Sequence, residues 1–245
     1  MHRFFFRDTR RENDRVRLDA EETRHAVQVL RLKKGASIIL LDGLGSVFEA
    51  EIEDTGTKQK PAVTARILSQ LPDNEPRTRV TLYQGLPKQG KLETILQKCT
   101  ELGVHALQPV QFERSVKEDS KNPEKTLQRL RRVASEAVKQ CGRGQVPMVG
   151  QTKPLSEVMD RITGHGLLLI PWEEERETRI ADVMGENPPH EIAIVIGPEG
   201  GIAPEEVERL VRAGGRTVTL GPRILRTETA GMAALVSVLT LAGDM

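Results

Sequence analysis

The stretch of residues 192–230 reads IAIVIGPEGGIAPEEVERLVRAGGRTVTLGPRILRTETA, and its pattern indicates the fold class. Its first five residues, 192–196, are all apolar and do not alternate with polar residues, which is typical of a strand covered on both faces. The strand ends at a glycine-rich loop, Gly197–Gly201. A helix is then predicted to begin at Pro204, because the first helical turn tolerates proline.

The second half of this stretch contains another strand, loop and helix. The pair Gly214-Gly215 ends the first helix, and residues 216–220 form the second predicted strand. A second loop follows at Gly221-Pro222, and Thr227 is predicted to cap a last helix. Parallel α/β sheets bind ligands beyond the carboxyl ends of their strands, and both loops lie at such ends. The sequence therefore predicts an α/β fold with a ligand site at these two loops.

The chemistry of the first loop favours some ligands over others. Its glycines allow a ligand to approach the backbone closely, and a helix N-terminus follows. However, Glu199 places a negative charge inside the loop, and both the P-loop and the GxGxxG patterns are absent. A ribose hydroxyl or a cationic ligand suits this loop better than a phosphate does. The alternative is that the glycines only turn the chain tightly.

The bulk composition is that of an ordinary globular protein. The 245 residues suffice for one or two domains, with 38% hydrophobic and 29% charged residues. Cys99 and Cys141 lie far apart without metal-ligand spacing, so both are expected to be reduced thiols in a cytoplasmic protein. The longest apolar stretch, 230–243, is shorter than the ~20 residues that span a bilayer, so no membrane span is predicted.

Short strands dominate the N-terminal part of the chain. They are predicted over 37–41, 47–53 and 62–68, and one helix begins after a capping residue, Asp19. Several short strands with one helix favour a small barrel or an open barrel. A polar segment with two prolines then predicts a linker at 72–77.

The linker separates a first domain over 1–71 from a second domain over 78–245. Further buried strands are predicted over 80–84, 104–110 and 166–170, with helical patterns between them. This alternation predicts a mostly parallel sheet with helices on both faces. The strand over 166–170 ends at the same kind of position as the strands over 192–196 and 216–220. The ends of these three strands are therefore expected to lie together at one site.

Charge is unevenly distributed, although the net charge is only +1. Residues 1–34 contain ten Lys or Arg against six Asp or Glu. This excess suits nucleic-acid phosphates, and the alternative is a solvated surface. The acidic run at 173–177 is interpreted as a solvated loop or a helix start. The cations expected to contact nucleic-acid phosphates are Arg3, Arg7, Arg10, Arg24, Arg31, Lys88 and Arg114.

Several kinds of catalytic site are not indicated by the sequence. No histidine cluster has zinc spacing, so no metal site is predicted. Neither GxSxG nor a plausible Cys-His pair is visible, and no nicotinamide fingerprint is present. A site built from glycine loops, with no predicted metal or nucleophilic residue, suits an enzyme that transfers a chemical group from a bound donor molecule.

Five segments of the chain together resemble one enzyme family. They are GPEGG at 197–201, LGPRILRTETA at 220–230, HAVQVLRLKKG at 25–35, KCTELGV at 98–104 and EAVKQCGRGQVP at 136–147. Taken together in their order along the chain, they resemble the SPOUT class of RNA methyltransferases. Within that class, the chain resembles the bacterial family that methylates the N3 atom of a uridine in small-subunit (16S) ribosomal RNA. The resemblance spans nearly the whole chain.

The resemblance implies a fold, a cofactor and partners. The first domain would be a PUA-like RNA-binding barrel, and the chain of the second would form a deep trefoil knot within 170–230. The methyl donor would be S-adenosylmethionine, and the substrate would be small-subunit ribosomal RNA or the assembled subunit. A homodimer would place the site at the subunit interface. The residues implied in donor binding are Ile170, Pro171, Gly197, Glu199, Gly201, Leu220, Ile224, Leu225 and Thr229.

Transfer of a methyl group to the N3 atom of uridine requires that atom to lose its proton, because the proton blocks the lone pair. A nearby cation would favour the deprotonated base. Arg226 is the first residue expected in this role and Arg143 the second. Glu228 is expected to orient the donor or to accept the proton. The alternative for Arg226 is a salt bridge to Glu228 or Glu199.

Two other functions are compatible with parts of the sequence. A non-catalytic protein that binds RNA or the ribosome would keep both domains but would not bind the donor. A nucleotide-dependent oxidoreductase would use an ordinary doubly wound sheet. The absence of GxGxxG and the charge of Glu199 count against the oxidoreductase.

Overall fold

The computed structural model describes residues 1–57, 59–88, 90–115 and 122–245, which divide into two compact units. The first unit consists of Met1–Glu75 and Val138–Val146. The second unit consists of Pro76–Ala137 and Pro147–Met245.

The first unit contains a six-stranded mixed sheet in the order β1-β4-β5-β6-β3-β2. Its strands are β1 (His2–Phe5), β2 (Arg11–Glu12), β3 (Arg15–Arg17), β4 (Ser37–Leu41), β5 (Val47–Gly56) and β6 (Pro61–Gln70). β1 and β4 pair in parallel, and the other neighbours pair antiparallel. A 3₁₀ turn spans Asp8–Arg10, and helix α1 (Ala20–Arg24) continues into a π-helical turn at His25–Val29.

The helix of the first unit begins where the sequence predicts. Oδ1 of Asp19 accepts a hydrogen bond from the Glu22 backbone N–H at 2.9 Å, which satisfies one of the free donors of the first turn. Ala26 on this helix packs with the alternate apolar residues of the sheet, such as Ile38, Leu40 and Ile52. This burial stabilises the helix against the sheet.

The second unit contains a seven-stranded sheet in which every described pair is parallel. Its strands are β7 (Arg79–Gly85), β8 (Ala106–Gln111), β9 (Met148–Val149), β10 (Lys153–Pro154), β11 (Leu167–Pro171), β12 (Glu191–Ile196) and β13 (Arg216–Val218). The order is β10-β8-β7-β12-β11-β13, and β9 pairs with β8. The prediction of a mostly parallel α/β sheet is confirmed.

Helices cover both faces of this sheet. They are α2 (Lys91–Glu101), α3 (Pro123–Cys141), α4 (Leu155–Thr163), α5 (Ile180–Met184), α6 (Pro204–Arg212) and α7 (Thr227–Leu241). Val158 of α4 and Leu210 of α6 pack with Val195 of β12 on one face. On the other face, Gly231 of α7 lies beside Leu82 of β7. Both faces are therefore apolar, which explains the continuous apolar run of β12.

Two boundaries differ from the prediction at the carboxyl end of the chain. β13 ends at Val218 rather than at 220, because the Thr219 backbone N–H donates to the Thr178 carbonyl at 2.8 Å and leaves the ladder. The N-cap of α7 is Arg226, so the predicted capping role of Thr227 is wrong. In the described parts of the chain, no helix is both long and apolar enough to cross a bilayer.

Candidate functional site

A pocket of about 570 Å³ lies in the second unit at the carboxyl ends of β11, β12 and β13. The three strands are neighbours and parallel, so their ends meet at one edge of the sheet. The walls come mainly from 171–176 after β11, 196–202 after β12 and 219–227 after β13. The pocket is therefore built from the loops that the sequence singled out.

The first glycine loop requires glycine at its last position. The Gly201 N–H donates to the Pro198 carbonyl at 3.0 Å, and this turn gives Gly201 a φ of +74°. A Cβ atom at Gly201 would also collide with a carboxylate oxygen of Glu173, another residue of the pocket wall. A side chain at this position would therefore be strained and would displace the wall.

Glu199, inside the same loop, is held by the segment before α2. Its two oxygens accept the Lys88 backbone N–H at 3.0 and 3.2 Å, and Oε1 lies 3.2 Å from Nζ of Lys91. Burial opposes ionisation of this carboxyl, but the hydrogen bonds from Lys88 and Lys91 outweigh it and lower its pKa. Glu199 is therefore an ionised anchor of the loop.

Lys91 also reaches the first turn of α7, where its Nζ lies 3.3 Å from Oε2 of Glu228. Hydrogen bonds to Glu199 and then to Glu228 raise the pKa of Lys91. Glu228 does not line the pocket but stands beside it, paired with this lysine. One ammonium group thus links the first glycine loop to the first turn of α7.

Arg226 lines the pocket from the N-cap position of α7, and its side chain is exposed. The sequence also left open that Arg226 forms a salt bridge to Glu228 or Glu199 instead of facing a ligand. Within the described residues the Arg226 guanidinium forms no ion pair, and both carboxylates bind Lys91 instead. The guanidinium is therefore a charge that faces the pocket.

Gln84, Thr227 and Gly197 form a buried hydrogen-bonded relay next to this arginine, which the sequence analysis missed. The Thr227 hydroxyl donates to the Gly197 carbonyl at 2.6 Å and accepts a hydrogen bond from Nε2 of Gln84 at 2.8 Å. Thr227 and Gln84 are both buried. The signal in the sequence was the polar Gln84 beside the apolar residues of β7, 143 residues away from its partner.

Acidic residues form another part of the wall that the sequence analysis interpreted as a solvated loop. Glu173 and Glu175 both line the pocket. The Glu175 carboxylate accepts the backbone N–H groups of Thr178 and Glu177 at 3.1 and 3.0 Å and the Thr217 hydroxyl at 2.9 Å. These hydrogen bonds, led by that from Thr178, lower the pKa of Glu175 to about 2. The loop is thus fastened to β13.

Most residues expected to bind the donor lie together at this pocket. Two do not line it: Ile170 is buried within the core, and Thr229 is exposed on α7. The residues that do are Pro171, Gly197, Glu199, Gly201, Leu220, Ile224 and Leu225.

Arg143, the second expected cation, belongs to the first unit and does not line this pocket. Its Nη2 lies 2.6 Å from Oε2 of Glu75, and both side chains are buried, with 7% and 9% of their surface exposed. The same carboxylate accepts the backbone N–H groups of Gly144 and Gln145. Within the first unit Arg143 therefore has a structural contact.

The cations expected to contact RNA are mostly exposed. In the first unit, Arg3 donates to the Lys139 and Gln140 carbonyls and is half-buried. Four exposed arginines accompany it there: Arg7, Arg10, Arg24 and Arg31. In the second unit, Lys88 lines the pocket and Arg114 lies beside the first glycine loop, with its Nη1 3.5 Å from the Gly200 carbonyl.

Comparison with known proteins identifies the family. A profile described as "RNA methyltransferase domain" matches residues 74–239, and one described as "RNA methyltransferase PUA domain" matches residues 18–63. The ribosomal RNA small subunit methyltransferase E of Bacillus subtilis is 36% identical over 248 residues, covering 97% of this chain and 96% of that protein. The chain belongs to this methyltransferase family. The predicted family and the predicted PUA domain are confirmed.

Other members of the family have the same fold. The methyltransferase E of Mycobacterium tuberculosis is 33% identical, with 98% of this chain and 93% of that protein covered. The methyltransferase E structure from Neisseria gonorrhoeae, solved with S-adenosyl methionine, is 32% identical, has a TM-score of 0.86 and covers 98% of both chains. A Legionella pneumophila methyltransferase structure with the same cofactor is 33% identical, has a TM-score of 0.84 and covers 99% of this chain and 98% of that one.

Proposed function

We propose that this protein transfers a methyl group from S-adenosylmethionine to the N3 atom of a uridine in small-subunit (16S) ribosomal RNA. The observation that carries the proposal is the pocket at the ends of β11, β12 and β13, built by the GPEGG and LGPRILRTETA segments. Relatives of this family that cover nearly the whole chain have been solved with the donor.

The pocket suits this donor in size and in charge. Its volume of about 570 Å³ falls within the ~300–1,000 Å³ of small-molecule sites. Gly197 and Gly201 leave backbone groups accessible, and Glu173 and Glu175 add negative charge to the pocket wall. When bound, the donor supplies an electrophilic methyl group on a positively charged sulfur.

The protein's own contribution to the chemistry is to stabilise the deprotonated uridine. Loss of the N3 proton leaves a negative charge on the base, which a cation at the pocket favours. Lys88, Arg176 and Arg223 also line the pocket, and among these cations Arg226 is the one at the N-cap of α7. Its position at the N-terminus of α7 adds the positive end of the helix dipole. Arg226 is therefore the proposed catalytic residue.

Glu228 and Arg143 are also proposed to take part in the reaction. Glu228 would orient the donor or accept the proton, and its contact with Lys91 fixes its carboxylate beside the pocket. Arg143 would be a second cation, although its contact with Glu75 also supports a structural role.

The proposal extends to the architecture and the partners. The domains would be a PUA-like barrel over 1–71 and, after a linker at 72–77, a SPOUT domain over 78–245 with a trefoil knot within 170–230. The exposed arginines of the first unit would contact ribosomal RNA phosphates, free or in the assembled subunit. The active form would be a cytoplasmic homodimer with its site at the subunit interface.

Calorimetric titration with S-adenosylmethionine tests the donor assignment, with nicotinamide adenine dinucleotide as the control ligand. We expect the methyl donor to bind at micromolar affinity and the dinucleotide not to bind. The non-catalytic alternative predicts binding of small-subunit RNA without binding of the donor, in the presence or absence of that RNA. That result would overturn the enzymatic proposal.

A further inference from the structure

The relay of Gln84, Thr227 and Gly197 joins the two glycine loops at their bases. Gly197 is the first residue after β12, and Thr227 is the first residue of α7. The hydrogen bond of 2.6 Å between them therefore fixes the start of α7 against the loop after β12. Arg226 is the immediate neighbour of Thr227 and lines the pocket.

The direction of each hydrogen bond in this relay is determined. Thr227 has one hydroxyl proton, and that proton is donated to the Gly197 carbonyl. The hydroxyl oxygen can then only accept from Gln84, so the Gln84 amide must present its NH₂ group. The same NH₂ group donates to the Gly85 carbonyl at 3.1 Å.

This arrangement leaves the Oε1 atom of Gln84 buried, with no hydrogen-bond partner among the described residues. A buried carbonyl oxygen without a partner is unfavourable and uncommon in proteins. Space for the amide exists because residue 231 is glycine, where a Cβ atom would lie only 3.1 Å from Gln84 Oε1. An apolar side chain at 84 would avoid the unpaired oxygen but would lose the two hydrogen bonds that the NH₂ group donates. The glutamine therefore accepts an unpaired oxygen in exchange for a contact that fixes the Thr227 hydroxyl.

We propose that Thr227 and Gln84 are positioning residues that fix the position of Arg226 relative to the donor-binding loop. The inference rests on the proposed function, in which Arg226 stabilises the uridine anion. A hydroxyl at 227 would fix the α7 N-terminus relative to the donor, and the glutamine would fix the hydroxyl. Misplacement of a catalytic group by about 1 Å can cost on the order of 100-fold in rate.

The test compares Thr227→Val, which is nearly isosteric but has no hydroxyl, with Thr227→Ser, which keeps it. Methyl transfer from S-adenosylmethionine to small ribosomal subunits that lack the modification is measured with each variant. We expect Thr227→Val to lower kcat at least about tenfold with little change in donor affinity, and Thr227→Ser to stay near wild type. Equal rates for Val and wild type would overturn the inference.

Thr100→Val is the matched control for general loss of stability. The Thr100 hydroxyl is also buried and donates to the Leu96 carbonyl at 2.7 Å, but Thr100 does not line the pocket. If Thr227 were only structural, both Val variants would lower the melting temperature and the kcat of folded protein would be unaffected. Gln84→Met, which removes the donor to Thr227, is a second variant and should lower kcat in the same direction.

Two further measurements show whether Thr227 acts through Arg226. Because Arg226 stabilises the deprotonated base, its misplacement in Thr227→Val should shift the pH profile of kcat to higher pH, which a loosened fold would not do. In an Arg226→Ala background the Thr227→Val change should have little further effect, because coupled residues are not additive. An equal loss of kcat in both backgrounds would contradict the inference.

The outcomes also separate this inference from the proposed function. A wild-type protein that transfers no methyl group overturns the proposed function and, with it, this inference. An active wild type that is slowed by Arg226→Ala but not by Thr227→Val supports the proposed function and overturns this inference alone.

Discussion

The ammonium nitrogen of Lys91 lies 3.2 Å from Oε1 of Glu199. A residue at the start of α2 thus holds the glycine loop that follows β12. Because the same nitrogen binds Glu228 at 3.3 Å, both carboxylates are paired with Lys91 rather than with Arg226. We expect the free charge of Arg226, on which the proposed chemistry depends, to require this pairing.

Lys91→Met should lower methyl transfer on the order of tenfold, because Glu199 and Glu228 would then be free to pair with Arg226. Its effect on the melting temperature should be small, since partly exposed ion pairs contribute little to stability. The measurements are kcat and thermal unfolding. Lys98→Met is the control, because Lys98 pairs with Glu101 on the same helix but does not line the pocket. Equal activity of the two variants would contradict this role for Lys91.

Gly201→Ala should weaken donor binding, because the new Cβ atom would displace the Glu173 carboxylate from the pocket wall. Gly214→Ala is the matched control, since Gly214 also has a positive φ, of +93°, but a Cβ atom there meets no atom within 4 Å. Both variants should lose about 1–2 kcal/mol of stability from the unfavourable backbone conformation. Calorimetry should show weakened donor binding for Gly201→Ala alone. Similar donor affinities in both variants would mean that Glu173 does not shape the site.

Asp244 makes the stability of the second unit depend on acidic pH. Burial disfavours its carboxylate, but hydrogen bonds from Thr78 and Arg77 outweigh this and lower its pKa from 3.8 to about 2. The stabilisation is therefore present above the unfolded-state pKa and is lost as the pH falls towards 2. Asp244→Asn should be less stable than wild type at pH 7, on the order of 1 kcal/mol. Urea unfolding should show this difference shrinking below pH 4; a constant difference would refute the linkage.

Removing one partner of the buried pair between Arg143 and Glu75 should destabilise the first unit strongly. Arg143→Ala leaves the Glu75 carboxylate buried without its cation, a change that typically costs about 3–5 kcal/mol. The double variant Arg143→Met with Glu75→Leu should recover much of that loss. Denaturant unfolding measures the stability of each variant. The kcat of the folded double variant then separates a catalytic role of Arg143 from a structural one. A well-folded double variant without activity would favour the catalytic role of Arg143.

The two cysteines should differ in reactivity towards a maleimide. Burial raises the pKa of the Cys99 thiol to about 12, and its side chain is fully buried. Cys141 is half-buried. Because the thiolate is the reactive form, native protein should be labelled at Cys141 and protected at Cys99. Peptide mass spectrometry after labelling would reveal the site, and rapid labelling of Cys99 in native protein would contradict the buried position.

The parts of the fold that local patterns determine could be predicted from the sequence. The continuous apolar run at 192–196 is buried on both faces because helices cover both sides of the sheet. The glycine loops could be located because their backbone conformations need residues without a side chain, as the positive φ of Gly201 shows. Parallel strands then bring the loop ends to one edge, so most of the expected donor-binding residues share one pocket.

The parts that depend on distant contacts could not be predicted. Gln84 and Thr227 are 143 residues apart, and Lys91 and Glu199 are 108 apart, so no local pattern links them. The acidic run after β11 has the composition of a solvated loop, and distant contacts with β13, such as that of Glu175 with Thr217, bring it to the pocket. Likewise, the helical pattern of α3 is continuous, and nothing in it marks that Val138–Val146 belongs to the first unit.

The most direct test of the central claim is to identify the methylated nucleoside. Purified protein is incubated with isotopically labelled S-adenosylmethionine and small ribosomal subunits that lack the modification, and the digested RNA is analysed by mass spectrometry. The proposal predicts label in 3-methyluridine from 16S ribosomal RNA, and a much smaller amount with Arg226→Ala. Label in another nucleoside, or no transfer from the donor to the RNA, would contradict it.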